Sequence, residues 1–324
     1  MTKAMGLISG GLDSILAARI MLEQGIEVIG VAFTTPFFGS RGAAQAAQAL
    51  DIPLQILDIT ETHLKMLRSP KHGYGGNMNP CIDCHCLMLS EAGRVMDAEG
   101  GDFLFTGEVL GQRPMSQHKD ALRMVERESG YEGRVLRPLS AKLLAETIPE
   151  QEGRVDRERL LAISGRSRKR QMELAKKYHI TRYLTPAGGC LLTDPGFSRR
   201  LRDLFGHPDQ AQIRDIELLK IGRHLRFSPA VKVIVGRNAQ DNERLLGLVA
   251  PGDDLLRVEK HPGPVCLIPY GGSMDAIQQA AAICVRYSDA PKAEAVAVLW
   301  SRAGEEKQIS VRSCPPSLPA ELMI

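Results

Sequence analysis

The chain has 324 residues, of which 44% are hydrophobic and 24% charged, and it carries a formal net charge of +3. That length gives two or three domains, each with its own core, and the composition is ordinary for a soluble globular protein. A membrane-spanning chain is excluded, because the longest apolar runs, such as Ile26 to Phe33, are strand-sized and contain a Glu. Seven cysteines point to ligands, redox centres or buried thiols rather than to a disulfide framework.

In chain order, the apolar run Met5 to Ile8 reads as a strand that breaks into Ser9-Gly10-Gly11-Leu12-Asp13-Ser14 and re-enters as a helix from Ile15 to Leu22. The N-terminus meets this loop at once, which leaves no room for a signal peptide and implies a cytoplasmic protein. Ile26 to Phe33 reads as a buried strand, Arg41 to Leu50 as a helix, Leu54 to Ile59 as a third strand and Asp102 to Thr106 as a fourth. This is the pattern of a parallel α/β sheet, whose ligands sit at the carboxyl ends of the strands. Ser9 to Ser14, the residues at and after Phe33, and Thr106-Gly107-Glu108 therefore surround one crevice. Between Pro186 and Pro195, a glycine-rich loop, Ala187 to Asp194, closes that region. A charged, helical-looking span from Phe197 to Arg226 leads to Pro229. Beyond it come a strand Val231 to Val235, the loop Gly236-Arg237-Asn238-Ala239, a helix to about Leu248, short strands, a helix from about Ser273 to Tyr287 and a last strand Ala295 to Trp300.

A strand that turns through glycines into a helix aims backbone N–H groups and the positive end of a helix dipole at one point, which suits a phosphate. The loop lacks the Lys of a Walker A sequence, so Ser9, Gly10, Gly11 and Ser14 would hold phosphates through N–H and hydroxyl groups. Gly-Gly with Asp and Ser also makes an ordinary turn and helix cap. The six residues resemble the PP-loop, SGGxDS, of ATP pyrophosphatases. That resemblance implies cleavage between the α- and β-phosphates of ATP, with Asp13 orienting Mg or the phosphates and Phe33, Thr106 and Gly107 completing the nucleotide site.

Asn79-Pro80-Cys81-Ile82-Asp83-Cys84-His85-Cys86 places two thiols one helical turn apart, able to share a metal or exchange a disulfide, and Cys190 stands in the distal glycine-rich loop. Three readings follow: an iron–sulfur cluster on Cys81, Cys84 and Cys190, a persulfide or disulfide pair, or a structural zinc using His85 or Cys86. The spacing of Cys86 suits a packed thiol, and Cys266, Cys284 and Cys314 read as structural. The basic residues gather in two stretches, Arg166, Arg168, Lys169 and Arg170, then Arg199, Arg200 and Arg202, as expected of a surface that tracks a nucleic-acid backbone or of a solvated helix face.

Ser9 to Ser14, Thr106-Gly107-Glu108-Val109-Leu110-Gly111-Gln112 with Ser116-Gln117, and Cys190 resemble the PP-loop domain of the 4-thiouridine synthase family of tRNA sulfur-transfer enzymes, over about residues 1 to 195. The resemblance implies adenylation of a tRNA uridine carbonyl and displacement of AMP by sulfur. Cys81, Cys84 and Cys190 are similar to the three-cysteine set of the cluster-dependent members, which implies a [4Fe-4S] cluster, with Cys81 and Cys190 catalytic beside Asp13. The chain departs from the family in having no recognisable N-terminal THUMP or C-terminal rhodanese-like domain. Val235 to Glu243, Asp253-Asp254-Leu255, His261-Pro262-Gly263 and Ala280-Ala281-Ala282 resemble instead the NFACT-R RNA-binding domain. Arg237 would then pair with a phosphate, and Asn238 would cap the following helix or contact a base.

The expected architecture is an adenine nucleotide alpha hydrolase-like PP-loop domain over 1–195, a helical connector over 196–229, a smaller α+β domain over 230–313 and a tail over 314–324. The expected partners are ATP, Mg, tRNA and a sulfur donor, either a cysteine desulfurase or inorganic sulfide, with no membrane. Competing readings are a PP-loop enzyme that transfers sulfur or an amine to a small molecule, and an RNA-binding quality-control factor with a vestigial nucleotide loop.

Overall fold

Five short apolar runs, each followed by a helix or a turn, build the first part of the computed structural model, which describes residues 2–184, 190–207 and 212–324. β1 (Lys3–Leu7), α1 (Leu12–Glu23), β2 (Glu27–Thr34), α2 (Arg41–Leu50), β3 (Leu54–Asp58), α3 (Thr60–Arg68), α4 (Cys81–Ala98), β4 (Phe103–Phe105), α5 (Lys119–Ser129), β5 (Val135–Leu136), α6 (Ile148–Gln151) and α7 (Lys169–Lys177) follow one another along the chain. The strands pair in parallel in the order β3-β2-β1-β4-β5. Both faces of this sheet are covered, one by α1 and its neighbours around Leu12, Leu16, Phe103 and Phe105, the other by α4 around Met5, Leu89, Met96 and Leu104. The chain leaves β1 toward β2 and β3, then returns to the opposite side with β4. Strand order thus reverses between β1 and β4, and the crevice of an open parallel sheet forms at such a reversal.

The chain divides into two units, 1–193 and 194–324. The second contains α8 (Pro195–Phe205), α9 (Ile213–Leu218), β6 (Arg223–Ser228), β7 (Val231–Val235), α10 (Ala239–Leu246), β8 (Asp254–Val258), β9 (Cys266–Ile268), α11 (Met274–Tyr287), β10 (Val296–Arg302), β11 (Glu305–Val311) and α12 (Leu318–Glu321). Its antiparallel sheet has the order β11-β10-β8-β9-β7-β6, and the apolar face of α11, with Ile277, Ala281 and Cys284, packs on it. Two expectations are corrected here. The span Phe197 to Arg226 is helical only in part, since it ends in β6, which pairs with β7. Its charge is misleading because Arg226 is neutralised by Asp203 of α8, with contacts of 3.0 and 2.5 Å. The strand read as last is followed by β11, whose polar sequence lacks apolar alternation because it forms the sheet edge, where charge discourages pairing with another chain. Among the described residues, no helix is long and apolar enough to cross a membrane.

One buried ionic network fixes the carboxyl edge of the first sheet. Arg137, just past β5 and 3% exposed, donates from Nε to Glu108 Oε2 at 3.0 Å and from Nη1 to Glu126 Oε2 of α5 at 3.0 Å. Glu108, just past β4 and 7% exposed, also accepts from Thr106 Oγ1 at 3.1 Å and from His85 Nδ1 of α4 at 2.7 Å. Burial alone would raise the pKa of Glu108, but the Arg137 charge and the His85 hydrogen bond outweigh it and hold the carboxyl at about 2. Two strand ends and two helices are therefore tied through one carboxylate and the guanidinium it holds. Removing the guanidinium in Arg137→Ala strands two carboxylates and is expected to cost about 3–5 kcal/mol, measured by urea unfolding. A carboxyl whose folded pKa lies below its unfolded value of 4.5 stabilises the fold above that pH and loses the contribution as pH falls toward about 2. Glu108→Gln should accordingly unfold more easily at neutral pH and lose less further stability across that acid window than the parent chain does.

Candidate functional site

The loop after β1 is shaped by close backbone approach. Gly10 has φ +80, and a Cβ there would stand 2.3 Å from the carbonyl carbon of Gly42, at the start of α2. A Cβ on Gly107 would stand 2.4 Å from the amide nitrogen of Ser14. The end of β4 thus lies directly on the first turn of α1, as the sequence reading expected of a shared crevice. Gly11 is the N-cap of α1 and offers no side chain to its first amides. Ser14 Oγ donates to the Gly11 carbonyl at 2.9 Å and accepts from Ser9 N at 3.3 Å, while Ser9 Oγ accepts from Gly11 N at 3.3 Å, so the loop is internally braced. Leu184 N donates to the Gly10 carbonyl at 2.9 Å, bringing the far end of the unit against the loop. Phe33 lies in the core with Met5, Val31 and Ile59, and Thr106 is turned to Glu108.

Asp13 is the centre of a polar cluster. Its Oδ2 accepts from Gln112 Nε2 at 3.0 Å, and its Oδ1 lies 4.0 Å from Arg168 Nη2. Asp13 Oδ1, Arg168 Nε and Gln112 Oε1 are all buried without a hydrogen bond. Each unpaired buried polar atom costs about 1–3 kcal/mol, so a cluster of them is the signature of groups that a polar ligand or a cation completes. Asp13 therefore fits Mg, and the set fits phosphates. Arg168 is brought here because Gly165 N donates to the Leu110 carbonyl at 2.7 Å, which lays the segment before α7 beside the strand-end loop. Its neighbours Arg166, Lys169 and Arg170 are exposed, and Arg170 pairs with Glu173 at 2.9 Å.

Cys81 begins α4 and accepts from Asn79 Nδ2 at 3.2 Å. Cys84 Sγ lies 3.6 Å from Nε2 of His63, a fully buried residue set against Phe37 and Phe38. Burial lowers the pKa of His63 to about 4, so its ring is neutral at pH 7. Burial pushes the Cys84 thiol far above its ordinary range, and the negative charges of nearby Cys190 and Cys81 would add to that rise. Cys190 is pushed up by burial to about 11, moderated by the Leu192 amide and Arg113. Cys81, Cys84 and Cys190 are thus electrostatic neighbours, and an all-sulfur donor set matches the chemistry of an iron–sulfur cluster. Their spacing does not itself make a metal site: among the described residues, no group of three His, Cys, Asp or Glu is placed to hold a metal ion. Cys86 packs beside the core under α4, and burial raises it to about 12. Cys266, Cys284 and Cys314 are buried in the second unit. Ala187 to Gly189 of the glycine-rich loop lie outside the described residues.

In the second unit, Arg199 and Arg202 are exposed, whereas Arg200 is half-buried and its Nε has no hydrogen bond. Arg237 Nε donates to Asp241 at 2.7 Å, and Asn238 caps α10 by accepting from Asp241 N at 2.8 Å. Of the two roles expected for Asn238, its side chain performs the cap. Sequence reasoning set Glu108 at the crevice without a role and gave Gln112 none although it stands inside the quoted run Thr106 to Gln112, and it missed Arg137 and His63 entirely. Nothing local marks those last two.

Comparison with known proteins agrees with this division. Residues 1–146 match the family model described as thiamine biosynthesis protein (ThiI), and residues 222–318 match that of the NFACT protein RNA binding domain. The tRNA-specific 2-thiouridylase MnmA of Syntrophotalea carbinolica is 34% identical over 114 residues, which is 31% of this chain and 32% of that protein. A protein named probable tRNA sulfurtransferase from Methanosarcina mazei is 30% identical over 118 residues, 34% of this chain and 29% of its own. The chain therefore spans roughly a third of the length of the curated relatives it matches. A solved structure of a 4-thiouridine synthetase–RNA complex with bound ATP covers 68% of this chain and 52% of that one, with 21% identity and a TM-score of 0.37. The two family matches fall in separate parts of the chain, residues 1–146 within the first unit and residues 222–318 within the second.

Proposed function

We propose that this protein is an ATP-dependent tRNA sulfurtransferase that adenylates a uridine carbonyl and replaces its oxygen with sulfur. The observation that carries the reading is the unpaired polar cluster of Asp13, Gln112 and Arg168 beside a phosphate-type loop, at the sheet edge to which α4 also brings Cys81 and Cys84. Support comes from the ThiI and RNA-binding family matches and from the sulfur-transfer names of the relatives.

In this reading the uridine carbonyl oxygen attacks the α-phosphorus, pyrophosphate leaves, and sulfur then takes the carbon as AMP departs with the oxygen. Adenylation is required because a carbonyl oxygen is a poor leaving group. The Gly10 and Gly11 amides with the Ser9 and Ser14 hydroxyls hold the phosphates, Asp13 would hold Mg, and Arg168 neutralises charge developing on the departing pyrophosphate. Cys81, Cys84 and Cys190 would hold a [4Fe-4S] cluster, which supplies an iron site able to bind sulfide; a persulfide on Cys190 is the alternative sulfur carrier. Sulfur comes from a cysteine desulfurase or inorganic sulfide, in the cytoplasm. The exposed Arg166, Lys169, Arg170, Arg199 and Arg202, with the NFACT segment, track the tRNA backbone.

The test is formation of AMP and pyrophosphate from ATP with and without tRNA, combined with mass spectrometry of the tRNA nucleosides. Turnover that needs no RNA would indicate a small-molecule acceptor. Asp13→Ala, Ser14→Ala and Arg168→Ala are each expected to lower tRNA-dependent AMP formation by about 10²-fold or more while leaving a folded chain. Lys169→Ala should leave that rate intact and reduce the salt slope of tRNA binding by about one. Normal turnover by the Arg168 variant would return that residue to the basic surface.

Anaerobically purified protein is expected to be brown and to contain iron and inorganic sulfide. Replacing Cys81, Cys84 or Cys190 by Ala should remove the colour, and Cys86→Ala should retain it. Colourless, iron-free protein that thiolates tRNA with Cys190 trapped as a persulfide would replace the cluster by the persulfide route.

A further inference from the structure

We propose that Arg200 and Lys232 form a binding site in the second unit for a terminal phosphate group, one that carries at most a single carbon substituent. For an RNA ligand this rests on the RNA-binding part of the reading above and names the end that is held. Leu225 and Val233 of the β6–β7 pair belong to the core under α11, so their strand neighbours Arg226 and Lys232 point to the opposite face of the sheet. Arg226 and Lys232 stand directly across from each other in the register. α8 lies over them, because its Asp203 takes Arg226, and Arg200, three residues before Asp203, shares that helix face. Arg200 lies outside residues 222–318, which match the RNA-binding domain, so the site is completed by a residue that the match does not include.

The charges on this face do not balance. Arg226 occupies both oxygens of Asp203, at 3.0 and 2.5 Å, and Lys232 Nζ is left 3.6 Å from one of them, beyond hydrogen-bond length. Lys232 is nevertheless only 6% exposed. Arg200 is half-buried, its Nε is enclosed, and it makes no hydrogen bond to a described residue. The other carboxylate that acts on Arg200 is Asp194, which caps α8 by accepting from Phe197 N at 2.6 Å. Three cations thus face two carboxylates, one spent on Arg226 and the other on a helix cap. Burial lowers the pKa of Lys232 to about 8, with Asp203 opposing and Arg226 and Arg200 adding to the fall, so it keeps its proton at pH 7. Burying a charge without a close partner is costly, and an anion between Arg200 and Lys232 removes that cost. Depth selects the anion. A phosphodiester is flanked by sugars on both sides and suits cations that stand clear of the surface, such as Arg199 and Arg202. A terminal phosphate has three free oxygens, a charge of about −1.5 to −2 at pH 7 and one substituent, so its oxygens can reach an enclosed lysine while the rest of the ligand stays outside. Arg200, the more exposed of the two, supplies forked donors and Lys232 a point charge beneath.

The test compares binding of the full chain to one tRNA transcript bearing either a 5′-monophosphate or a 5′-hydroxyl, and thermal unfolding in excess inorganic phosphate against chloride at equal ionic strength. The parent chain should bind the phosphorylated transcript about tenfold more tightly. Lys232→Met, which keeps the apolar stem, and Arg200→Gln should each bind the two ends alike. Arg199→Gln should weaken both equally and keep the ratio, which separates a built site from loss of surface charge. If the parent chain does not distinguish the ends but inorganic phosphate raises its Tm, and both variants lose that shift, the site takes free phosphate rather than an RNA end. A parent chain with neither an end preference nor a phosphate shift overturns the proposal, as does either effect persisting in both folded variants. A chain that binds no tRNA overturns the RNA reading alone, and the inorganic phosphate measurement still decides the site.

Discussion

The carboxylate of Glu108 is the constraint on which the arrangement of the first unit depends. An ionised carboxyl cannot be buried without compensation, and here the compensation comes from three separate elements: Arg137 past β5, Thr106 at the end of β4 and His85 on α4. Arg137 spans further, to Glu126 on α5. Because every partner lies on a different element, the charge can be satisfied in one relative placement of them only. That placement puts Gly107 on the first turn of α1 and turns the beginning of α4, with Cys81 and Cys84, toward the same edge. The ion pair contributes geometry more than net stability, since a buried pair replaced by apolar groups often costs little, whereas one broken on a single side costs much.

The glycines act in the same sense at shorter range. Gly10 and Gly107 each bring backbone within a distance that any side chain would forbid, to Gly42 and to Ser14. Their packing leaves the first amides of α1 facing outward with no side-chain cap, while the buried but unpaired atoms of Asp13, Gln112 and Arg168 collect beside them. A fold that tolerates several such atoms in one place has a reason outside its own packing energy. At Asp254, by contrast, a buried carboxylate is paired throughout: it takes Arg302 through both oxygens and the Trp300 indole N–H.

Legibility in the sequence follows the range of the interaction. Ser9 to Ser14 is readable because its strand, turn and helix start are contiguous, and the four longer strands of the first sheet announce themselves as apolar runs. β5 has two residues and no periodicity, and is held in the sheet by pairing with β4. Glu108 and Arg137 are 29 residues apart and meet only when β4 and β5 pair, so no local signal identifies either as a member of a network. Arg168 is the instructive case. Read as a charge run, it belongs with Arg166, Lys169 and Arg170; in space a single backbone hydrogen bond, Gly165 to Leu110, turns it inward to Asp13 while its neighbours stay in solvent. Charge runs report composition along the chain, and helix entry geometry decides which member faces a site. β11 shows the converse, a strand disguised by the polarity that an exposed sheet edge requires.

The cysteines impose a last physical condition on the proposed chemistry. Sulfur transfer and metal ligation both use thiolates, yet burial favours the protonated form of Cys84, Cys86 and Cys190 alike. His63, whose Nε2 lies 3.6 Å from Cys84 Sγ, cannot help by charge, because its own burial keeps it neutral, and a neutral imidazole stabilises a thiolate far less than a cation does. The Leu192 amide and the charge of Arg113 act against burial at Cys190, and a backbone hydrogen bond and the charge of Lys71 do so at Cys86, whereas at Cys84 the neighbouring Cys190, Cys81 and Asp83 add to it. Cys84 is thus the one whose thiolate is most disfavoured. A Cys84 thiolate would need positive charge from a bound group, since its named neighbours are acidic residues, other thiols and the neutral His63. A divalent or higher-valent metal centre would supply that charge and displace the proton outright. A persulfide mechanism, by contrast, would place the sulfur on Cys190 and leave Cys84 protonated as a packed thiol. The electrostatics therefore link the identity of the sulfur carrier to the state of one buried residue, Cys84, rather than to the three cysteines as an undivided set.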